Sequence, residues 1–390
     1  MVMVSGYTRV GGVHPESAAF KNVLHSQGVS LSEAMIFGIA GGLGMGYILW
    51  EFQEHHAKVL VVAFQNRWNY PMDYYQHLAD RLGITIAMPD TGSKKAAAQI
   101  LNDALDRGLP VIAWVDRASL PYMQMPLSMI AHIGHIISIC GRDGDTYFVD
   151  DLAAQPIPID ANTLADARAR ISSYKSRLVV IDKLSPSFDL PAAIHAGLQD
   201  QVEYLSSPSE SFSLPAIRKW AKTMIDAKGK KGWLKVFEDR RGLMSTLMSL
   251  FESVELSGAP GGLRGLYADF LTEAASVIGN SRLSESADHY RKLAGAWSQL
   301  AESALPDDVP LLREMKALLR QRDHITKRGG EAWRESANLT AQITEKRREG
   351  NLNFPLDDAA VLALFTTLHD QLNAIYQAEV EALEALKAAL

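Results

Sequence analysis

The chain has 390 residues, more than one hydrophobic core usually holds, so it predicts two domains. Hydrophobic residues make up 47%, charged residues 22% and the net charge is −6, which gives no reason to expect a nucleic acid or a membrane as partner. One cysteine, Cys140, excludes an intrachain disulfide, and the first residues lack the basic and apolar regions of a signal peptide. We therefore expect a cytoplasmic protein.

The first half of the chain alternates helix and strand patterns. A helix is predicted to begin at Pro15, since proline is favoured in the first turn, and to end near Gly28. The Asp143-Gly144 pair lies between two apolar runs and predicts a β-hairpin turn. Apolar runs rich in β-branched residues predict further buried strands at 58–64, 109–116 and 177–182.

Beyond Ser213 the sequence shows helical spacing of apolar residues and almost no strand pattern. We expect an α+β domain at 1–185, a Ser/Pro-rich linker with a short helix at 186–212 and an all-α domain at 213–390. The last helix, from about Leu356, carries an apolar stripe. That stripe fits packing on its own domain or a homodimer formed through this helix.

Two short segments invite a cofactor but do not support one. The segment GIAGGLGMG (38–46) lacks the GK[ST] of a phosphate-binding loop, so we expect no nucleotide. His55 and His56 lie near Glu51 and Glu54, but no cysteine or second histidine pair reinforces them at a familiar zinc spacing. We expect a solvated surface cluster and no metal site.

A histidine and an acid stand at matched ends of the predicted hairpin. His135 opens its first strand, and Asp150 ends the second. This layout can place an imidazole beside a carboxylate, which is the base and orienting acid of a nucleophilic triad. The alternative is a structural histidine before an apolar strand.

A series of short motifs runs along the chain in a fixed order. They are His14-Pro15, Ser32-Glu33, Phe37-Gly38, Gly41-Gly42 through Tyr47, Asp116, Leu120-Pro121-Tyr122, His132, Gly134-His135, Gly141, Asp150 and Arg264 through Ala275. Their order resembles the papain-like fold, and more closely the butirosin biosynthesis protein H family. The resemblance covers nearly all of the chain to about residue 300.

The resemblance implies a papain-like N-terminal domain and an acyltransferase of natural-product biosynthesis. Such an enzyme moves an acyl group from a carrier-protein thioester to an amine, through a cysteine at a helix start. We expect an acyl carrier protein or a small amine acceptor as partner. His135 is implied as base and Asp150 as its orienting acid, with His14 nearby. The expected substrate-binding residues are Glu16, Ser17, Glu33, Asp116, Tyr122 and Arg264.

For Arg264 two interpretations stay open. It follows a glycine-rich loop and lies one helical turn before Tyr267. The guanidinium could form a salt bridge within a packed helix, or it could contact the cleft or a carrier's phosphopantetheine.

The chain departs from the family where the cysteine falls, because that position is Pro15. Cys140 lies five positions after His135 on one strand, so it faces away unless a bulge intervenes. Ser17 is two residues past Pro15, about 200° around the helix.

Two hypotheses follow from this departure. An amine could attack a bound thioester directly with a nearby general base, so that acyl transfer needs no cysteine. Alternatively, the protein is an inactive pseudoenzyme that holds a carrier protein or peptide for another catalyst. The sequence leaves open whether the protein is an enzyme.

Overall fold

The computed structural model describes residues 3–52, 57–67, 71–183, 188–256 and 258–390. The chain forms two compact units. The first comprises Met1–Ile36, Ala79–Phe188 and Arg322–Thr340, and the second comprises Phe37–Leu78, Asp189–Gln321 and Ala341–Leu390. These boundaries differ from a single division near residue 185, because packing assigns 37–78 to the helical unit and 322–340 to the unit with the larger sheet.

Strands are concentrated in the first half of the chain. The predicted hairpin is present, with the turn glycine Gly144 at φ +57°. In the described residues the strands are β1 Leu43–Phe52, β2 Ala57–Gln65, β3 Thr85–Ala87, β4 Val111–Asp116, β5 Gly134–Asp143, β6 Thr146–Asp150, β7 Ile157–Asp160 and β8 Leu178–Lys183.

Helices dominate after β8, as the apolar spacing predicts. Over the whole described chain, the α-helices are α1 Pro15–Ser26, α2 Glu33–Ile39, α3 Pro71–Arg81, α4 Lys94–Asp106, α5 Ala161–Ala169, α6 Leu190–Ser206, α7 Pro215–Met224, α8 Trp233–Val236, α9 Leu243–Phe251, α10 Arg264–Ile278, α11 Arg282–Ala304, α12 Pro310–Thr326, α13 Ala337–Leu352 and α14 Asp358–Ala389.

The first unit is built on a six-stranded antiparallel sheet with strand order β3-β8-β4-β5-β6-β7. In β5, Ile137 and Ile139 belong to a hydrophobic core that includes side chains of α4 and α5. Successive strand residues point to opposite faces. Side chains of α1 and Ile136 line one crevice, so α1 lies against the other face. That helix carries the predicted candidate site.

Helix α1 begins at Pro15, as predicted. His14 is its N-cap, with extended φ and ψ angles. Proline suits the first helical position because its missing N–H has no intrahelical acceptor there. Phe20, Val23 and Leu24 are fully buried and fix the helix against the unit.

The second unit contains the two-stranded antiparallel sheet β1-β2 and most of the helices. The apolar stripe of α14 is buried within this unit, against α7 and α11, which agrees with packing on its own domain. Its central residues Leu368, Leu372 and Leu386 have no exposed surface. A homodimer through this helix stays a prediction.

The predicted α+β class is confirmed, with the larger sheet in the N-terminal half and a largely helical C-terminal region. Within the described ranges, no helix combines the length and the apolar character that crossing a bilayer requires.

Candidate functional site at the start of helix α1

His135 pairs with a carboxylate, but the carboxylate belongs to Asp151. Its Nε2 atom lies 2.9 Å from both Asp151 oxygens. A carboxylate only accepts hydrogen bonds, so Nε2 carries the proton and Nδ1 is the acceptor atom of the neutral ring. The side chains are 8% and 1% exposed. Tyr122 donates its hydroxyl to Asp151 at 2.9 Å, and burial together with that carboxylate raises the pKa of Tyr122 well above its ordinary value.

The predicted pair of His135 with Asp150 is therefore wrong, and strand register gives the reason. Asp150 is paired with Ser138, three residues from His135, and three residues along a strand reverse the face. The Asp150 carboxylate accepts instead from the Tyr7 hydroxyl at 2.7 Å, the Gly11 N–H at 2.8 Å and the Asn22 amide at 2.7 Å. It anchors the segment before α1 and the helix itself.

N–H groups on both sides of Pro15 donate to the protein's own side chains. Pro15 has no N–H. The Glu33 carboxylate accepts from the backbone N–H of Val13 at 2.9 Å and from that of His14 at 2.7 Å. The Ser17 N–H donates to the His14 ring at 3.4 Å. A helix start favours a negatively charged group, and here that group is the Glu33 carboxylate.

His14, Glu16 and Ser17 form a local network. The His14 ring lies with Nδ1 3.0 Å from the Ser17 hydroxyl and Nε2 3.1 Å from the Glu16 carboxylate. Burial acts to raise the pKa of Glu16, but the His14 ring, hydrogen bonding and His135 together hold that pKa below its ordinary value. Ser17 has no exposed surface, so its hydroxyl is closed to an incoming acyl group.

Asp116 is fully buried and braces a loop. One oxygen accepts from the Ala131 N–H at 3.1 Å, and the other accepts from the Ser119 hydroxyl. These contacts close the loop that carries Tyr122. We find no exposed face on Asp116 for the substrate contact that was expected.

A narrow crevice lies between α1 and the sheet. In its walls, the start of α1 lies beside the first residues of β5 and the last residue of β6. It is lined by Pro15, Ala18, Ala19, Ile136, Asp150, Asp151 and Leu152.

Cys140 is a small buried residue, as predicted, with its thiol directed to the Phe148 carbonyl at 3.3 Å. Alternation of faces along β5 was expected to turn Cys140 away from His135 unless a bulge intervened. The pairing of β5 with β6 does shift register between Ile139 and Gly141, at the position of Cys140. Burial, and then the Asp150 carboxylate, raise the pKa of the Cys140 thiol well above its ordinary value. A thiol held protonated is a poor nucleophile.

Arg264 lies in the second unit and is fully buried, which excludes the substrate contact. Its guanidinium bonds Glu379 at 2.7 Å and the Gly262 carbonyl at 2.6 Å, and lies over the rings of Phe64 and Trp297. Of the two interpretations left open for Arg264, the structure contains the salt bridge within packed helices.

Sequence reasoning missed Asp151, Tyr7 and Asn22. Asp151 directly follows Asp150, so the adjacent pair of acids was the available clue, but only the strand register separates their roles. The histidine cluster His55-His56 lies outside the described residues.

Comparisons with known proteins agree with the resemblance. Residues 14–152 match the family model "Butirosin biosynthesis protein H, N-terminal", and residues 162–321 match a domain of unknown function, DUF4872. A solved Bacillus anthracis protein described as a C39-like peptidase is similar at 8% identity with a TM-score of 0.33, covering 47% of this chain and 98% of the other. No curated protein is similar in sequence.

Proposed function

Since residues 14–152 of this chain form an N-terminal domain of the butirosin biosynthesis protein H family, we propose that the protein binds an acyl carrier protein or its acyl cargo without forming an acyl-enzyme. The resemblance implies an acyltransferase with a cysteine at the helix start. In this chain the position is Pro15. Of that activity, binding of the carrier protein or its acyl cargo needs no nucleophile.

The first turn of α1 carries the proposal. Covalent acyl transfer needs a nucleophile and donors aimed at the oxyanion that forms. Pro15 supplies neither a side-chain nucleophile nor an N–H. The nearby N–H groups of Val13 and His14 are bonded to Glu33.

A second candidate is favoured by the His135–Asp151 pair. An imidazole whose Nε2–H is held by a carboxylate can act as a general base through Nδ1. It could accept a proton from an amine that attacks a bound thioester directly, so that the thiol leaves and an amide forms. The 8% exposure of His135 means that this route needs the loops around it to open.

Binding and turnover of one probe separate these candidates. The full chain is mixed with a carrier protein bearing a hexanoyl-phosphopantetheine, with and without a primary amine such as glycinamide. We expect carrier binding by calorimetry and no amide formation above the rate without protein. A second variant, Glu33→Gln, weakens the acceptor that holds the N–H groups of Val13 and His14. The same calorimetry then measures whether this change alters acyl-carrier binding.

Two outcomes would count against the proposal. Amide formation that disappears in His135→Ala would establish the second candidate. No binding of acylated or unacylated carrier would remove both acyl-handling candidates.

A further inference from the structure

A segment near the C-terminus belongs to the first unit. Residues 322–340 group with the larger sheet, although the helices on both sides of them belong mostly to the second unit. They lie beyond both family-model matches, which end at residues 152 and 321. The segment contains a short 3₁₀ helix, Ala332–Ser336. We call residues 327–336 the strap.

One side of the strap holds Gln124, in the loop that carries Tyr122. The Gln124 amide donates to the Trp333 carbonyl at 2.5 Å and to the Ser336 hydroxyl at 3.0 Å. Its carbonyl oxygen accepts from the Thr340 hydroxyl. Gln124 adopts φ +47°, a left-handed backbone that a residue with a side chain rarely adopts. Such a conformation persists where surrounding contacts impose it.

The other side of the strap holds the loop after β6. The Ala154 N–H donates to the Lys327 carbonyl at 2.8 Å. Gly329, at φ +74°, lies so close that a Cβ there would come within 2.1 Å of the Gln155 carbonyl oxygen. Trp333 packs against the core cluster that contains Tyr122 and Ala153. The strap therefore anchors both loops by hydrogen bonds and by packing.

These two loops carry the groups that hold His135. Tyr122 is two residues before Gln124, and Asp151 is three residues before Ala154. Tyr122 bonds Asp151 at 2.9 Å, and Asp151 bonds His135 at 2.9 Å. A contiguous set of bonds and packed side chains therefore runs from the strap to the imidazole.

We propose that the strap positions Asp151 against His135, with Gln124 as the positioning residue that ties the Tyr122 loop to it. The N-terminal site is then built from three separate stretches of the chain, one of them outside both matched families. This role concerns the geometry of the pair. It holds whether the pair handles an acyl group or not.

The test follows the ring N–H of His135 in the full chain by ¹⁵N-histidine NMR. The resonance is assigned by its absence in His135→Gln. We expect Gln124→Ala to keep its circular dichroism spectrum while this proton exchanges with water about tenfold faster, because the bonds that fix the loop are lost. The matched control is Glu331→Ala, an exposed strap residue whose carboxylate pairs with Arg334 at the surface. It should leave the exchange rate unchanged.

A folded Gln124→Ala variant with unchanged exchange would overturn the proposal and leave the strap a structural element only. If Gln124→Ala does not fold, Ser336→Ala decides, because it removes one of the bonds and leaves the rest. A smaller acceleration in that variant supports the positioning role. An unchanged rate contradicts it.

Discussion

Each of the two units buries a basic side chain against a carboxylate, and the two pairs differ in kind. In the first unit, Asp151 holds His135, a cation only when protonated. In the second unit, Glu379 holds Arg264, which stays charged at any accessible pH. The Arg264 and Glu379 side chains are 0% and 1% exposed, and Trp297 adds its indole N–H to Glu379 at 2.9 Å.

The comparison shows that burial and pairing do not identify a chemical site. Arg264 links α10 to α14 and is enclosed by aromatic rings, so its pair holds helices together. The His135 pair lies at strand ends, beside the start of α1, where the imidazole is hydrogen-bonded to the carboxylate. Residue type and surroundings separate the two pairs.

The largest expected effect lies in the second unit. Glu379→Ala leaves the Arg264 cation buried without its partner, so we expect a loss of about 3–5 kcal/mol in the free energy of unfolding. Urea unfolding measures this loss, with the exposed Glu381→Ala on the same helix as control. A loss within 0.5 kcal/mol of the control, roughly the range of surface substitutions, would show that Arg264 keeps a compensating contact.

Glu16→Gln should have a smaller effect, because it weakens a hydrogen bond to a charged carboxylate and leaves polar partners in place. We expect a loss of about 1.5–3 kcal/mol at pH 7. The folded protein holds the pKa of Glu16 below its ordinary value, so its stabilising contribution is present above the ordinary pKa and lost as the pH falls through the lowered one. The difference between the two proteins in urea unfolding should shrink below about pH 4. A difference independent of pH would contradict this.

Pro15→Cys tests the first unit with a thiol at the helix start. The substitution should cost roughly 0.4–1 kcal/mol through the unfolded chain, so the variant should fold. The new thiol should react with iodoacetamide at least about tenfold faster than Cys140, which is fully buried with a raised pKa. The rate should fall in the double variant with His135→Ala. Equal rates with and without His135 would mean that the imidazole does not face this position.

The smallest effect concerns Asp150. Burial, its largest influence, raises the pKa of this carboxyl despite three hydrogen bonds that lower it. Between the ordinary and the raised pKa the folded protein binds more protons than the unfolded chain, so stability should decrease as the pH rises through that window. Asp150→Asn should remove this slope, as measured by urea unfolding across pH 4–7. A slope that survives the substitution must come from another group.

The sequence predicted those features of the fold that depend on local sequence pattern. Pro15 marks the start of α1, and Asp143-Gly144 marks the hairpin. Strand β1 was missed because its glycines weaken a strand pattern, and its partner β2 was found from its β-branched residues.

The candidate site was predicted less well, because it depends on register and on distant packing. His135 was found, but choosing between Asp150 and Asp151 requires knowing that Ser138 pairs with Asp150. The strap could not be found from sequence, since helical spacing in 322–340 does not reveal which core those residues join.

The central claim is that this chain carries no acyl group covalently. Intact-mass spectrometry of the full chain, after incubation with hexanoyl-carrier protein and separation from it, tests this directly. We expect an unchanged mass in the native protein and in Cys140→Ser. A stoichiometric hexanoyl adduct, mapped by peptide digestion to Cys140, Ser17 or any other side chain, would contradict the account.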